Sequence, residues 1–437
     1  MNTTNTSKSY KSAFIFLTTL FFLWGFITVL VDSLIPRIRE LFTLTYFQAG
    51  LVQFAFFGAY FLLSIPAGFM LSKIGYKKGI VIGLITMAIG CLLFYPAASY
   101  REFGVFILAY FVLAGGMTIL QVAANPYVAV LGSEEGASSR LNLSQAFNSL
   151  GTAIAPAVGA LFILSDTIKS SEEIADLAPE VKQAYLSAEA SAVQSPFLGI
   201  TGFIIVMALV FAFVNLPKLI NKAPTGGYKT LLQNKSLMNG AAGIFVYVGA
   251  EVAIGSYLVN YFMDMNMAAE IKNSAFLSQI SEMILGSNLA TVNEFAVVGS
   301  FVTFYWSGAM VGRFIGAYLT KVITPSKVLG VFSICAIILI TISIYSTGFL
   351  SMWSIIGVGL FNSIMFPTIF SLAIDGLDDL KPQASGILCT MIVGGAIVPP
   401  MYGLLTDHFG FKTALLLLVL CYYFIFSYAR KKVNGIL

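Results

Sequence analysis

Charged residues are scarce in this chain: Asp, Glu, Lys and Arg together make up 10% of its 437 residues. Soluble domains carry about 25% charged residues, so the composition excludes an ordinary soluble fold. Hydrophobic residues reach 58%, and the mean hydropathy is +0.88. Apolar segments of roughly 20 residues, the length that crosses the hydrocarbon of a bilayer as a helix, recur from end to end. The sequence therefore predicts an all-α integral membrane protein.

Histidine and cysteine are also scarce. The single histidine, His408, cannot build a metal site or a conventional Ser-His-Asp triad by itself. The four cysteines lie in apolar segments without paired spacing, which argues against a disulfide framework or a metal knuckle. Walker, dinucleotide-binding and nucleophile-elbow sequences are absent as well. We expect no enzymatic activity, no metal and no cofactor.

Twelve apolar segments are predicted to span the membrane as helices. They are residues 13–35, 46–71, 79–98, 103–131, 140–164, 197–216, 238–263, 295–320, 328–347, 351–374, 383–405 and 412–430. The basic segment 217–236 separates the first six from the last six. We therefore predict an N-terminal six-helix half over residues 1–216, a cytoplasmic linker over 217–236 and a C-terminal six-helix half over 237–437. The polar loops 165–196 and 264–294 contain no recognisable motif.

The two predicted halves resemble each other in sequence. GFMLSKIGYKK at Gly68 resembles GAYLTKVITPSK at Gly316, and GTAIAPAVG at Gly151 resembles GGAIVPPMYG at Gly394. The offsets are 248 and 243 residues, so the matches are nearly in register. Since each half has six spans, the repeat is parallel, about an axis normal to the membrane. Such pseudo-symmetric halves predict a substrate site near mid-membrane, with alternating access to its two sides.

Basic residues indicate the orientation. With the N-terminus inside, 17 of the 24 Lys and Arg residues fall on the inner side, as expected for cytoplasmic loops. We predict a multi-pass protein of the cell inner membrane with both termini in the cytoplasm. The net charge of +4 follows from this topology and is no reason to expect nucleic acid as a partner. The expected partners are the lipid bilayer and a small molecule, and the chain is expected to function as a monomer.

Two carboxylates, Asp32 and Glu251, lie within predicted spans, each in the first span of its half. A carboxylate in hydrocarbon costs on the order of 3 kcal/mol, so it normally faces a cavity or a partner. Both residues are candidates for coupling a cation to transport. The alternatives are a hydrogen bond between packed helices and, for Asp32, a position at the membrane interface.

Amides on two successive spans are candidates for substrate binding. Gln121 and Asn125 share one face of the fourth span, and Gln145 and Asn148 share one face of the fifth. An amide can both donate and accept, which suits the hydroxyls of a sugar. The alternative is that these amides bind helices to one another.

Four further residues extend the predicted sugar site. Gln53 adds an amide on the second span. Asn362 lies 241 residues after Gln121 and is its repeat equivalent, because NPYV at Asn125 resembles FPTI at Phe366 at the same offset. Trp24 and Tyr247 lie near Asp32 and Glu251 in sequence and offer aromatic rings that could stack on a sugar.

The loop between the second and third spans is predicted to act as a gate. Its glycines, Gly68 and Gly75, permit close approach of helices, and Lys73 and Lys77 can meet carboxylates or helix ends. Arg313 is its expected counterpart in the second half. These residues are expected to hold a conformation and not to touch substrate.

Long strings in the sequence resemble the major facilitator superfamily over nearly the whole chain. GFMLSKIGYKK is similar to the superfamily's loop motif, although Ser72 stands where an aspartate is usual. FLWGFITVLVDSLIP, QFAFFGAYFLLSIPAG, AANPYVAVLG, RLNLSQAFNSLG and VGGAIVPP resemble the fucose:proton symporter family. VYVGAEVAIGSYLVNYF and LQVAANPYVAVLG resemble its glucose/galactose transporter branch.

The resemblance implies roles for individual residues. Asp32 matches the first-span acid of proton-coupled transport, and Gln145 and Asn148 match amides that contact sugar. Gln121 departs from the fucose-transporting members, which have a glutamate there, and a glutamine cannot titrate. A coupled proton would then have to be carried by Asp32 or Glu251.

The sequence thus predicts a cation-coupled symporter that imports a neutral hexose, such as glucose, galactose or fucose, by alternating access. A proton is the first expectation for the cation, and sodium is the alternative. A drug-efflux antiporter would be expected to have a more apolar cavity. A non-transporting sugar sensor would normally need an output domain.

Overall fold

The computed structural model describes residues 3–42, 46–162, 177–219 and 227–437. Asp32 lies in a helix within these ranges, but its side chain is outside the described residues. The helices of the first part are α1 (Thr3–Phe42), α2 (Tyr46–Ile74), α3 (Tyr76–Tyr100), α4 (Phe103–Val130), α5 (Ala137–Phe162), α6 (Pro179–Phe213) and α7 (Tyr228–Gln233). Those that follow are α8 (Lys235–Asp264), α9 (Met267–Asn273), α10 (Ala275–Leu285), α11 (Glu294–Val322), α12 (Pro325–Tyr345), α13 (Gly348–Asn362), α14 (Met365–Ala373), α15 (Lys381–Thr390), α16 (Gly394–Phe409) and α17 (Phe411–Val433).

The described residues form helices and contain no strand. Within them, 11 helical segments are long and apolar enough to cross a membrane. The predicted fifth span corresponds to α5, a helix of 26 residues that is absent from those 11. Its polar side chains lower its hydropathy: Asn142, Ser144, Gln145 and Asn148. The prediction of an all-α membrane protein is confirmed.

The chain forms two compact units, and each contains a segment from the other part of the sequence. The first unit comprises Met1–Ala137, Phe147–Asn234 and Ile374–Met391, and the second comprises Ser138–Ala146, Lys235–Ala373 and Ile392–Leu437. The start of α5 therefore belongs to the second unit, and α15 belongs to the first. The division into halves at residues 217–236 stays a prediction, to which the structure adds this exchange of segments.

Two predicted spans are each divided into two helices. Span 351–374 is divided between α13 and α14, and span 383–405 is divided by a 3-10 turn, Met391–Val393, between α15 and α16. At the first interruption the Ser363 hydroxyl donates to the Leu360 carbonyl at 2.7 Å, and Arg313 Nε donates to the Ser363 carbonyl at 3.2 Å. Side chains thus satisfy backbone groups that the interruption releases, as a membrane interior requires.

The predicted polar loops contain more helix than the sequence suggested. Helix α6 begins at Pro179, well inside segment 165–196, and α9 and α10 occupy most of segment 264–294. Because these segments contain many charged and polar residues, they were not predicted to cross the membrane. Such residues do not prevent the chain from forming helices. Helix α10 has a capped N-terminus, where the Ser274 hydroxyl accepts from the Leu277 amide at 3.4 Å.

A glycine stripe lets α11 approach the chain around the α13–α14 interruption. Gly308, Gly312 and Gly316 are spaced by four residues and lie on one face of α11. A Cβ added at Gly312 would overlap the Leu360 carbonyl oxygen, and one at Gly316 would overlap the Ile364 side chain. The packing of these helices in the second unit therefore requires a glycine at position 312. A side chain there would meet a backbone atom, which cannot move aside as the end of a flexible side chain can.

We expect Gly312→Ala to destabilise the protein by about 1–3 kcal/mol, the usual cost of overpacking. Gly202→Ala on α6 is the matched control, because no atom lies within 4 Å of its added Cβ. The control should be neutral or stabilise by about 0.5–1 kcal/mol, since alanine favours a helix more than glycine does. Unfolding in mixed micelles with increasing sodium dodecyl sulfate measures both. Equal stability of the two variants would contradict the packing role of Gly312.

Candidate functional site

An ion pair lies inside the second unit, within membrane-capable helices. Glu251 of α8 and Arg313 of α11 approach to 4.0 Å between Oε1 and Nη2, and their side chains are only 16% and 17% exposed. A carboxylate in hydrocarbon needs such a partner, because an unpaired buried charge is far more costly than a paired one. The predicted coupling residue Glu251 is therefore already paired with a cationic side chain of the protein, Arg313.

Buried tyrosines and one asparagine surround this pair. Asn362 Nδ2 donates to the Tyr305 hydroxyl at 2.6 Å, and the Tyr422 hydroxyl donates to Asn362 Oδ1 at 2.6 Å. Tyr247 lies one turn before Glu251 on α8 and is 1% exposed. The hydroxyls of all three tyrosines are near enough to Glu251 to interact with it electrostatically. We call these residues the polar cluster: Glu251, Arg313, Tyr247, Tyr305, Asn362 and Tyr422.

Arg313 connects the polar cluster to the interrupted helix. Its Nη2 faces Glu251, and its Nε donates to the carbonyl of Ser363, at the end of α13. The guanidinium has several donors in a fixed plane, so one side chain can hold both partners at once. A change in the charge of Glu251 would therefore act on Arg313, and through Arg313 on its hydrogen bond at the α13–α14 interruption.

The amides predicted on the fourth span lie within the first unit. Gln121 and Asn125 of α4 are 8% and 0% exposed. Buried amides require hydrogen-bond partners, either in the protein or in a ligand. Gln145 of α5 is 8% exposed as well, but it belongs to the segment Ser138–Ala146 of the second unit. The structure thus distributes the predicted sugar-binding amides over both units.

Asn148 takes part in packing between α1 and α5, and Trp24 packs against a ring of its own helix, α1. Asn148 Nδ2 donates to the Phe21 carbonyl at 2.8 Å. A Cβ added at Gly25 would overlap the Asn148 backbone carbonyl oxygen, so these two helices are in close contact. The Trp24 ring meets the Phe21 ring edge to face, with centroids 5.6 Å apart. For Asn148 this contact corresponds to the helix-packing alternative, and its role toward sugar stays a prediction.

Other predicted site residues differ in their surroundings. Gln53 is exposed and lies near the start of α2. Asn362 is fully buried, with both amide atoms bonded to tyrosines of the polar cluster. The amide of Asn362 therefore serves the cluster in this structure, although the sequence suggested a direct contact with sugar. The side chain of Asp32 lies outside the described residues, so its coupling role stays a prediction.

Gly68, a predicted gate residue, lies at a close contact between α2 and α15 of the first unit. A Cβ at Gly68 would be 2.8 Å from the Pro382 carbonyl oxygen, and one at Gly386 would be 2.7 Å from the Ser64 carbonyl oxygen. Nearby, the Ser385 hydroxyl donates to the Val122 carbonyl at 2.8 Å. Residues far apart in sequence are thus held together by glycine contacts and a hydrogen bond.

An ion pair and a half-buried tyrosine accompany this contact. Lys381 Nζ lies 2.8 Å from Glu134 Oε1. The Tyr228 hydroxyl donates to the Ile65 carbonyl at 2.8 Å. Burial raises the pKa of Tyr228 to about 12, so this phenol stays protonated and remains a donor at neutral pH.

The start of α5 makes comparable contacts in the second unit. The Ser138 and Ser371 hydroxyls are 2.5 Å apart, and the Ser139 hydroxyl donates to the Ala317 carbonyl at 2.6 Å. Asn142 Nδ2 donates to the Thr368 hydroxyl at 3.1 Å. In the predicted topology, all of these helix ends lie on the cytoplasmic side. Hydrogen bonds from small polar side chains therefore join the helix ends on the predicted cytoplasmic side of each unit.

Three of the remaining gate residues, Lys73, Gly75 and Lys77, lie at the junction of α2 and α3. Gly75 separates the two helices with φ of 83°, in the left-handed region that favours glycine. Lys73 places its Nζ 4.1 Å from the centroid of the Phe69 ring. Lys77 is half-buried in the first turn of α3. Arg313, the predicted counterpart of this loop, lies beside Glu251 in the second unit, and its gating role stays a prediction.

Sequence reasoning missed Tyr305, Tyr422 and Ser363 as members or neighbours of the polar cluster. Tyr305 precedes Arg313 by eight residues and so shares its face of α11, which is a signal that could have identified it. Tyr422 and Ser363 give no comparable signal, because tyrosine and serine are common in apolar helices. Within the described residues, no group of three or more His, Cys, Asp or Glu side chains could hold a metal ion.

Comparisons with known proteins agree over nearly the whole chain. The family model described as the Major Facilitator Superfamily matches residues 12–388. A glucose/galactose transporter of Brucella abortus is 47% identical over 428 residues, covering 97% of this chain and 95% of that protein. An L-fucose-proton symporter of Escherichia coli is 35% identical over 436 residues, covering 97% and 94%. The crystal structure of FucP in the outward conformation matches with a TM-score of 0.85 and 34% identity, covering 97% of this chain and 99% of that one.

Removal of the Asn362 amide should destabilise the polar cluster. Asn362→Leu leaves the buried hydroxyls of Tyr305 and Tyr422 without their amide partner, at a cost of about 1–3 kcal/mol each. Adding Tyr305→Phe and Tyr422→Phe to Asn362→Leu removes these orphaned hydroxyls and should restore much of the stability. Unfolding in mixed micelles measures all variants. A triple variant less stable than Asn362→Leu alone would contradict this account of the cluster.

Proposed function

The chain belongs to the Major Facilitator Superfamily, and from this premise we propose that it is a cation-coupled symporter that imports a neutral hexose across the inner membrane. Its relatives are named as transporters and not as enzymes, which agrees with the expectation from sequence. The chain is a multi-pass sugar transporter of the glucose/galactose or fucose-proton symporter type. Glucose, galactose and fucose are the proposed hexoses, a proton is the proposed cation, and both termini are proposed to lie in the cytoplasm.

The observation that carries the coupling proposal is the nearly buried ion pair of Glu251 and Arg313. A proton or sodium ion that binds Glu251 must compete with the guanidinium of Arg313, because both act on the same carboxylate. Binding of the cation would weaken the ion pair and free Arg313 to strengthen its other contacts. Coupling through Glu251 would in this way reach the α13–α14 interruption, where Arg313 holds the Ser363 carbonyl.

The neutral amides support the proposal that different residues bind the sugar and the coupling cation. Gln121 cannot titrate, so a coupled proton must be carried elsewhere, and Glu251 and Asp32 are the acids within predicted spans. Gln121, Asn125 and Gln145 would bind sugar hydroxyls, for which amides offer both donors and acceptors. Sugar and cation together would favour the occluded state more than either alone, since a ligand moves an equilibrium only by its differential affinity.

Alternating access requires the contacts on the predicted cytoplasmic side to break and re-form. In the first unit these are the Lys381–Glu134 ion pair and the bond from Ser385 to Val122. In the second unit they are the contacts of Ser138 and Ser139. The Lys381–Glu134 pair is open to solvent on the side of Glu134, which is 61% exposed. Ion pairs at a surface are worth roughly 0–1 kcal/mol and single hydrogen bonds about 1 kcal/mol, so such contacts suit a reversible closure.

Neutralising the coupling acid should separate exchange from accumulation. We expect Glu251→Gln in proteoliposomes to retain counterflow of labelled hexose and to lose accumulation driven by an ion gradient. Asp32→Asn is tested in parallel, and Glu180→Gln on the exposed start of α6 is the control that should behave like wild type. If Glu251→Gln and Asp32→Asn both accumulate sugar as well as wild type does, the coupling assignment is wrong.

The same vesicles identify the cation. A proton gradient imposed without sodium should drive accumulation in the wild type, and a sodium gradient at constant pH should not. The opposite result would establish sodium as the coupling ion and overturn the proton proposal while leaving symport intact.

Removing an amide should weaken sugar recognition. We expect Gln121→Leu to raise the KM for hexose counterflow roughly tenfold, which corresponds to one lost hydrogen bond of about 1.4 kcal/mol. Gln194→Leu is the control, because Gln194 is bonded to Ser99 on the surface of the first unit. An unchanged KM in Gln121→Leu would remove this residue from the site. No counterflow of glucose, galactose or fucose by the wild type would overturn the proposed function itself.

A further inference from the structure

A basic cavity lies in the first unit, where the loop between α2 and α3 meets the end of α6. Its volume is about 810 Å³, and it is lined by Ser72 to Lys78 and by Asn215 to Leu219, together with Val81, Ile82 and Ala212. Four lysines are among these residues: Lys73, Lys77, Lys78 and Lys218. The described lining residues include no carboxylate. The proposed sugar site and polar cluster use none of the residues that form the cavity.

The lysines of this cavity have no ion-pair partner among the described residues. None of the four lysines forms an ion pair with a described carboxylate, and the nearby Asp379 is outside the lining, although it interacts electrostatically with Tyr76. Lys77 and Lys78 also lie in the first turn of α3, where the helix dipole is positive. Two cations at that position are unfavourable for the helix alone, so the potential in the cavity strongly favours an anion.

An apolar groove continues from the basic cavity along α3 and α6. It has a volume of about 310 Å³ and shares Val81 and Ala212 with the cavity. Thr201 is the one residue of its lining with a hydroxyl, which is used in a bond to the Phe197 carbonyl at 2.8 Å. From Val81 to Leu92 the groove follows α3 for about 16 Å, at 1.5 Å per residue. One leaflet of a bilayer has about 15 Å of hydrocarbon, which is half of the usual thickness.

We propose that the cavity and groove together bind an anionic phospholipid, with the phosphodiester headgroup among the lysines and an acyl chain between α3 and α6. A free phosphate compound would use the cavity but not the groove, and a neutral lipid would use the groove but gain little from the lysines. The predicted topology places the cavity on the cytoplasmic side, where basic pockets between helices meet anionic lipid headgroups. The shared residues Val81 and Ala212 are what make one ligand with both parts the best fit.

Native mass spectrometry of the purified full chain in a neutral detergent, titrated with phosphatidylglycerol, tests the headgroup site. We expect Lys77→Gln/Lys78→Gln to weaken binding roughly 30-fold, since each lysine contributes about fivefold near a lipid headgroup. Lys218→Gln alone should weaken it about fivefold and serves if the double variant does not fold. Lys321→Gln/Lys327→Gln removes the same charge from exposed positions outside the cavity and should bind like wild type.

A second pair of variants tests the groove. Leu209 lines the groove and Val206 does not, and the two side chains are 52% and 57% exposed on the same helix. Leu209→Trp should weaken binding of phosphatidylglycerol because the indole fills the acyl-chain space, whereas Val206→Trp should leave it unchanged. Phosphatidylcholine should bind the wild type more weakly than phosphatidylglycerol does.

Three results would overturn the proposal. Equal binding of phosphatidylglycerol by the wild type and by the folded Lys77→Gln/Lys78→Gln or Lys218→Gln variant would show that lipid there is unspecific. Competition by glycerol 3-phosphate as strong as that by phosphatidylglycerol would show a site for free phosphate compounds. Equal affinities of the Leu209→Trp and Val206→Trp variants would remove the groove from the site.

Discussion

A carboxylate within a membrane-spanning helix needs a partner, and the second unit provides Arg313 for Glu251 at 4.0 Å. Much of the polar chemistry in this unit follows from that pair. Three tyrosines lie around it, and Asn362 hydrogen-bonds to the hydroxyls of two of them. Arg313 also donates from Nε to the Ser363 carbonyl. Because the pair is nearly buried, loss of either charge leaves the other without compensation. A change of charge at Glu251 therefore has consequences well beyond its own contacts.

Close helix packing depends on glycine in both units. Gly312 brings α11 against the backbone of α13, and Gly68 and Gly386 bring α2 against α15. Helices in a membrane gain little from hydrophobic association, since lipid chains are as apolar as leucine, so close van der Waals contact and hydrogen bonds decide which helices pack. The exchanged segments, the start of α5 and the whole of α15, are held by such contacts and by single polar bonds. Contacts of this strength permit the reversible opening that a transporter needs.

The proposed division of chemistry agrees with these constraints. Neutral amides suit a sugar because they can both donate hydrogen bonds to its hydroxyls and accept hydrogen bonds from them, and they carry no charge. The ionisable pair suits a cation because a buried carboxylate responds strongly to any added positive charge. Placing the two functions on different residues leaves Gln121 free for recognition. The basic cavity at the α2–α3 loop shares no residue with the proposed sugar site or the polar cluster.

The sequence by itself determined the membrane class, the spans, the internal repeat and the two acids that needed an explanation, because burial costs depend on composition and on spacing along one helix. Tertiary structure alone decided the partners. Arg313 pairs with Glu251, and Asn362 binds tyrosines. The interruption at Ser363 and the exchange of α5 and α15 between units were also beyond the sequence. A hydrogen bond or ion pair between helices depends on their rotation and depth, which long-range packing sets and which hydropathy along the chain does not contain.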